Sequence, residues 1–233
     1  MQTIGMLGGM SWESTALYYR TANELVRDRL GGLASADLLV RSVDFAAVRR
    51  LQLEDRWDDA AELLLREARA LEAGGAELVV LCTNYMHKVA PVLESGLTVP
   101  FLHIADVAAA AAREQGAVRV GLTGVAATMT EPFYAQRLAR SGLEVLVPDE
   151  ADRAVLDRAV FDELCRGVLS EETRAALRGV LGRLVDAGAQ AVVLACTELE
   201  LLLGPEDCAV PLLPTARLHV AAALDRALGP AAS

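Results

Sequence analysis

Aromatic residues make up only 4% of the 233 positions, and the chain has three histidines. Platforms that stack single-stranded bases need aromatic faces, and neutralising phosphates needs clustered Lys and Arg. Here 22 Lys and Arg stand against 32 Asp and Glu, giving a net charge of −10 with no basic run anywhere. A nucleic-acid partner is therefore not expected. Apolar types reach 53%, yet no stretch of about 18 apolar residues runs free of charge, so no membrane-spanning helix is expected either. His87, His103 and His219 show no HxxxH spacing, and Cys82, Cys165, Cys196 and Cys208 show no CxxC pair. No metal site follows from them. Met1 leads straight into Gln2-Thr3-Ile4 without the basic start of a secretory leader. The expectation is a cytoplasmic protein whose thiols are reduced and are either buried or catalytic.

At about 150 residues per domain, the length fits one large α/β domain or two small ones. Short apolar runs at 3–7, 37–43, 77–81, 98–101, 119–122, 143–147, 190–195 and 209–212 read as strands. Most are apolar on both faces, as strands of a parallel sheet covered by helices should be. Between them, 59–73 places Ala61, Leu64, Leu65, Ala68 and Leu71 on one helical stripe. The stretches 13–30, 151–167, 171–187 and 215–228 also read as helices. Strand and helix alternate throughout, which predicts βαβ units and doubly wound, mainly parallel sheets.

The chain also repeats itself. Ile4-Gly5-Met6-Leu7-Gly8 recurs 116 positions later as Val120-Gly121-Leu122-Thr123-Gly124. The stretch from Ala73 through Cys82 to Thr83 recurs as the stretch from Asp186 through Cys196 to Thr197, the two cysteines lying 114 positions apart. This predicts two α/β halves related by a pseudo-two-fold axis, with a cleft between them.

In open α/β sheets, ligands bind beyond the carboxyl ends of the strands, where Cys82 and Cys196 each fall. A helix is expected from Asn84 onward in one half and from Glu198 onward in the other; its N-terminus would lower a thiol pKa and offer N–H groups to an anion. Two sulfurs approaching one molecule from opposite sides suit a two-base reaction at a stereocentre, in which one thiolate removes a proton and the opposite thiol delivers another. Cys165, in a helical stretch, and Cys208, in an acidic loop, read as structural. Gly8-Gly9-Met10-Ser11 lacks the third glycine of a dinucleotide fingerprint and the Lys of a P-loop. It reads instead as a tight strand-to-helix turn whose backbone, around Met10 and Ser11, faces a small carboxylate. His87 reads as a helix-surface residue, with His87 and Lys88 as cations that favour the Cys82 thiolate, and Glu198 and Glu200 as anions that keep Cys196 protonated.

These residues resemble the aspartate/glutamate racemase family, the cofactor-independent amino-acid racemases, over nearly the whole chain. The resemblance is carried by Ile4 to Thr15, Ser42-Val43-Asp44-Phe45 and Cys82-Thr83-Asn84-Tyr85-Met86-His87-Lys88. It continues in His103-Ile104-Ala105-Asp106, in Val120 to Gly124 with Thr128-Met129, and in Ala195-Cys196-Thr197-Glu198. It implies a two-domain pseudo-symmetric α/β fold, no pyridoxal phosphate or other cofactor, a small amino-acid substrate, catalytic Cys82 and Cys196, and a homodimer. The halves are expected as 1–104 plus 213–233, carrying Cys82, and 105–212, carrying Cys196. Thr83, Asn84, Tyr85, Thr128, Thr197 and Glu198 are the expected lining, with Gln52 and Arg166 where relatives place polar contacts. The chain departs from the family at Tyr85, where relatives usually carry Thr, and lacks the Asp-Ser of glutamate racemases in its first glycine loop. Two other readings stay open: a related cysteine-dependent isomerase or decarboxylase of small dicarboxylates, and a non-catalytic ligand-binding protein on the same scaffold.

Overall fold

The computed structural model describes residues 1–229. The chain divides into two compact units, Met1–Ile104 with the stretch from Ala216 onward, and Ala105–Thr215. In the first unit β1 (Ile4–Gly8), α1 (Trp12–Leu30), β2 (Leu38–Ser42), α2 (Phe45–Leu53), α3 (Trp57–Ala73) and β3 (Leu78–Leu81) lead to a 3-10 turn (Tyr85–Val89), α4 (Ala90–Gly96) and β4 (Phe101–Leu102). The second begins with α5 (Ile104–Glu114), β5 (Arg119–Thr123), α6 (Ala126–Thr130), α7 (Pro132–Arg140), β6 (Glu144–Leu146) and α8 (Glu150–Arg158). It ends with α9 (Glu171–Asp186), β7 (Ala191–Leu194), α10 (Leu199–Leu202) and β8 (Leu212–Pro214), and α11 (Thr215–Leu228) returns to the first unit.

Each unit is built on one four-stranded parallel sheet, ordered β2-β1-β3-β4 in the first and β6-β5-β7-β8 in the second. Counted from its own first strand, each unit has the same order, so the sequence repeat is a repeat of topology. The central strands β1, β3 and β7 are buried along their whole length, which is why they read as unbroken apolar runs. All eight strands fall on or beside the expected runs. The second unit extends through Thr215, beyond the expected boundary at 212, because β8 pairs with β7 through Val192↔Leu212 to Leu194↔Pro214.

Side chains alternate across the first sheet with period two. Leu7, Val79 and Leu81 pack on Leu64, Ala68 and Leu71 of α3. Ile4, Met6, Leu78, Val80 and Cys82 pack on the opposite face against Tyr18 and Val26 of α1 and Val220 and Leu224 of α11. The repeated glycine has a packing cause. A Cβ on Gly5 would lie 2.8 Å from Ala76 Cβ, just past α3, and 3.2 Å from Leu71 Cβ within it, and one on Gly121 would lie 3.0 Å from Leu184 Cδ1 of α9, so both positions admit the close approach of the covering helix and its exit.

Helix starts follow their caps. Ser11 accepts from the Ser14 N–H at α1, Asp149 from Asp152 at α8, and Ser170 from Thr173 at α9. The single helix expected over 151–167 is instead α8 followed by a π-turn (Ala159–Glu163) and a 3-10 turn (Leu164–Arg166).

Gly9 has a φ of +94°, and a Cβ there would lie 2.3 Å from the Val43 carbonyl oxygen. Gly9→Ala is expected to cost about 2 kcal/mol of stability. A thermal melt would read this as a lowered Tm, and an unshifted Tm would contradict it.

Candidate active site

The first cysteine sits one residue past β3. Its N–H donates to the Leu7 carbonyl at 2.9 Å, continuing the sheet ladder, and the Thr83 N–H then turns back to Leu81 O at 2.9 Å. The helix expected from Asn84 is only the 3-10 turn Tyr85–Val89, and the one expected from Glu198 is the four-residue α10. Neither supplies an extended helix dipole, so the thiol activation expected from one is corrected. Burial instead pushes the Cys82 thiol well above the ordinary range.

The expected cations beside Cys82 are also corrected. His87 is buried, not on a helix surface. Ile104 N–H, which can only donate, points at His87 Nε2 at 3.3 Å, leaving Nδ1–H to donate to the Thr83 carbonyl at 2.7 Å. Burial, then His103 and His219, hold its pKa well below the usual imidazole value, so it is neutral. The Lys88 ammonium lies 3.7 Å over the Trp57 ring, which Tyr85 also meets edge-on at 5.5 Å.

All three histidines gather beneath this loop. The rings of His87 and His103 are 4.5 Å apart and those of His87 and His219 5.9 Å. His219 Nε2 donates to the Leu102 carbonyl and Nδ1 accepts from the Tyr18 hydroxyl, both at 2.9 Å. Burial lowers the His219 pKa to about 4. Sequence reasoning missed this cluster, and the only signal was that His103 directly follows a strand and His219 lies within an apolar helix. Among the described residues, no group of three or more His, Cys, Asp or Glu is arranged to hold a metal ion.

In the second unit the Cys196 Sγ–H donates to Glu198 Oε2 at 3.1 Å, and the Thr197 hydroxyl donates to the same oxygen at 2.8 Å. Cys196 and Thr197 are buried, and Glu198 is half-buried. Burial, and then the Glu198 carboxylate, push the Cys196 thiol well up, while the Glu198 backbone N–H acts the other way. Cys165 is exposed, yet lies near enough to Cys196 to add to the rise. Beyond α10, the buried Asp207 accepts from Gly204 N–H at 2.7 Å and pairs with Arg174 and Arg178, fixing that loop to α9.

The remaining expected contacts are scattered. Met10 is packed in the core with Leu7, Val48 and Leu51, and the Gly9 N–H is taken by Thr15 Oγ1 at 2.8 Å. Ser11 caps α1. Gln52 Nε2 donates to Met86 Sδ at 2.8 Å, so it stands beside the Cys82 loop. Asn84 is buried, while Thr83 and Tyr85 are half-buried. Arg166 is exposed, with Asp162 at 4.0 Å. Thr128 is fully buried, and its hydroxyl has no hydrogen-bond partner in the described structure.

Two units of one topology, each with a buried cysteine followed by threonine just past a central strand, define a duplicated α/β protein with a thiol in each half. The sequence profile of the Asp/Glu/hydantoin racemase family matches residues 7–223, and the chain belongs to that family. It is similar to the crystal structure of a candidate Asp/Glu racemase from Yersinia pestis, at 44% identity and a TM-score of 0.94 over 98% of this chain and 100% of that one. An aspartate racemase homologue from Pyrococcus horikoshii OT3 matches at 31% identity and a TM-score of 0.89, again over 98% and 100%. The Picrophilus torridus aspartate racemase shares the fold, at 16% identity and a TM-score of 0.75 over 97% and 94%. No helix among the described residues is long and apolar enough to cross a membrane.

Proposed function

We propose that the protein is an amino-acid racemase of the aspartate/glutamate type, working without pyridoxal phosphate through Cys82 and Cys196. One sulfur, as thiolate, takes the proton from Cα while the other, as thiol, returns one to the opposite face. The observation that carries this reading is the Cys-Thr pair repeated at the end of the equivalent strand of each unit, Cys82-Thr83 after β3 and Cys196-Thr197 after β7. A lone thiol would suffice for one-sided protonation; duplicated thiols suit inversion.

Burial of both sulfurs supports it further. A Cα–H is far less acidic than a thiol, and a sulfur out of water is a stronger base than one in solution. The chain's net charge of −10 repels an acidic substrate only weakly beyond about 8 Å, so binding falls to local donors. Thr128 is the strongest of these: its buried, unpartnered hydroxyl would be satisfied by a substrate carboxylate. Thr83, Asn84, Tyr85, Thr197 and Gln52 are proposed to line the same site.

The direct test is incubation with a panel of L-amino acids in deuterated water, followed by proton NMR and chiral chromatography. Loss of the Cα–H signal together with appearance of the D-enantiomer is expected, with acidic amino acids among the substrates. No exchange with any amino acid would defeat the reading. For Thr128→Val we expect KM to rise about tenfold, the scale of one hydrogen bond to a charged group. The free protein should melt no lower than the parent, since the hydroxyl has no partner to lose. An unchanged KM would remove Thr128 from the site.

We also propose a cytoplasmic homodimer. The exposed Trp12 and Tyr19 of α1, with Leu33 and the edge-strand residue Val40, supply apolar surface for self-association.

A further inference from the structure

Cys82 is the middle residue of a three-residue turn, closed by the Thr83 N–H on the Leu81 carbonyl at 2.9 Å. A hydrogen bond across so short a span is bent, and bent bonds are weak. The turn has a second hold. The His87 Nδ1–H donates to the Thr83 carbonyl at 2.7 Å, and the Ile104 N–H donates to the other ring nitrogen, Nε2, at 3.3 Å. The Asn84 carbonyl also faces the ring and accepts the His87 backbone N–H at 3.1 Å. Ile104 is where the chain leaves the first unit. We propose that His87 is the positioning residue of the first thiol, a strut between the Thr83 carbonyl and the Ile104 N–H that holds the Cys82-Thr83 turn in the shape the reaction uses. This rests on the two-thiol racemase reading and deepens it by naming what keeps the Cys82 sulfur in place.

An apolar side chain would fill the same buried volume without the desolvation of a polar ring. What the imidazole adds is a donor and an acceptor fixed on one rigid ring. That ring is itself packed, with the rings of Phe101 at 5.7 Å, His103 at 4.5 Å and His219 at 5.9 Å, so it does not follow the turn if the turn moves. His219 is as deeply buried, but its ring bonds the Leu102 carbonyl and the Tyr18 hydroxyl, neither of which belongs to the Cys82 turn. The two histidines therefore divide the work: His219 ties α11 to β4 and α1, and His87 ties the turn to the start of α5. Without the Nδ1–H, the Thr83 carbonyl rotates to find another donor, and Cys82, one residue before it, moves with the shared backbone. A displacement of about 1 Å at a reacting group lowers a rate by about a hundredfold.

His87→Leu keeps the volume and removes both hydrogen bonds. Its kcat for racemisation is expected to fall at least about tenfold. Iodoacetamide labelling of Cys82, read by peptide mass spectrometry against Cys196 in the same protein, is expected to rise about tenfold as the loosened turn exposes its sulfur. His87→Asn places an amide nitrogen near the position of Nδ1, where it can donate to Thr83, and should bring both readouts back to within about threefold of the parent. His219→Leu separates this role from general stability. It should lower the urea midpoint of the protein, yet leave kcat and Cys82 labelling within about threefold of the parent. If the His87→Leu protein does not fold, His87→Gln takes its place in the comparison, since its longer amide reaches the position of Nε2 instead. A kcat of His87→Leu within about threefold of the parent would overturn the proposal, as would Asn no better than Leu or Gln, or His219→Leu matching His87→Leu in both readouts. A parent protein that exchanges no Cα proton defeats the racemase reading instead, and the labelling order of the variants then judges the strut alone.

Discussion

Replacing either Cys82 or Cys196 with serine is expected to abolish racemisation, by at least about a hundredfold in each variant, the scale of a lost general acid or base. Serine fits the same space, but a hydroxyl holds its proton far more tightly than a thiol. On the two-thiol reading each variant loses one face of the reaction and keeps the other. Cys82→Ser should therefore still exchange the Cα proton of the enantiomer that Cys196 addresses, without inverting it, and Cys196→Ser should do the same for the opposite enantiomer. Chiral chromatography reads the inversion and NMR the exchange. Wild-type-like racemisation by either variant would refute the two-base assignment, and identical enantiomer preference in the two variants would refute the opposite-face geometry. Cys165→Ser and Cys208→Ser should leave the rates unchanged, although the proximity of Cys165 to Cys196 makes it the more informative control.

Acid should unfold the first unit through its histidines. His219 is buried and neutral, with its pKa lowered from 6.5 to about 4. His87 is also held well below the usual imidazole value, by burial and then by His103 and His219. A histidine whose folded-state pKa is depressed contributes stability that is complete above its unfolded pKa and is lost as pH falls below it, because only the unfolded chain binds the proton. Between pH 6.5 and 4, His219 alone accounts for about 3 kcal/mol. The buried carboxylates act in the same direction but lower on the scale: Glu67, beside Arg41 and Arg66, and Asp207, held by Gly204 N–H and two arginines, both sit below their usual range. Urea unfolding at pH 7.5, 6.5, 6.0, 5.5 and 5.0 therefore isolates the histidines. A slope approaching about 1.4 kcal/mol per pH unit for each of His87 and His219 is expected. His219→Gln, which can still donate to Leu102 O, should reduce that slope by one proton's worth. Stability that is flat from pH 7.5 to 5.0 would show that these side chains are not buried in the neutral form.

The strands were legible because central strands covered by helices on both faces must be apolar throughout, as Leu78–Leu81 and Ala191–Leu194 are. Their ends were less so. Phe101–Leu102 and Leu212–Pro214 are too short to impose a pattern, and the expected strands fall a few residues early. The helix Ile104–Glu114 escaped notice because its run of five alanines blurs the contrast between covered and open faces. The break after Arg158 escaped too, since the apolar spacing of 151–167 continues through a π-turn that widens the backbone without changing the pattern. At the candidate site, the paired cysteines could be read from their repetition alone. What surrounds them could not. His87, five positions beyond Cys82, looks like a cation for that thiol in one dimension. In three it bends back to bond the Thr83 carbonyl and is too buried to hold a charge. The Cys196–Glu198 bond likewise depends on a side-chain rotamer that adjacency in sequence does not dictate.

Helix α11 is the last of the described elements, yet its Val220 and Leu224 pack, with α1, on the same face of the first sheet that carries Ile4, Met6 and Cys82. On the ribosome these elements are separated by the synthesis of the entire second unit. The second unit is one continuous stretch, Ala105–Thr215, and can assemble as soon as it emerges. The first waits with one side of its sheet covered only by α1 until α11 arrives. A release of the chain short of Thr215 would leave α1 alone on that side, with the apolar surface that meets Val220 and Leu224 open beside the first thiol.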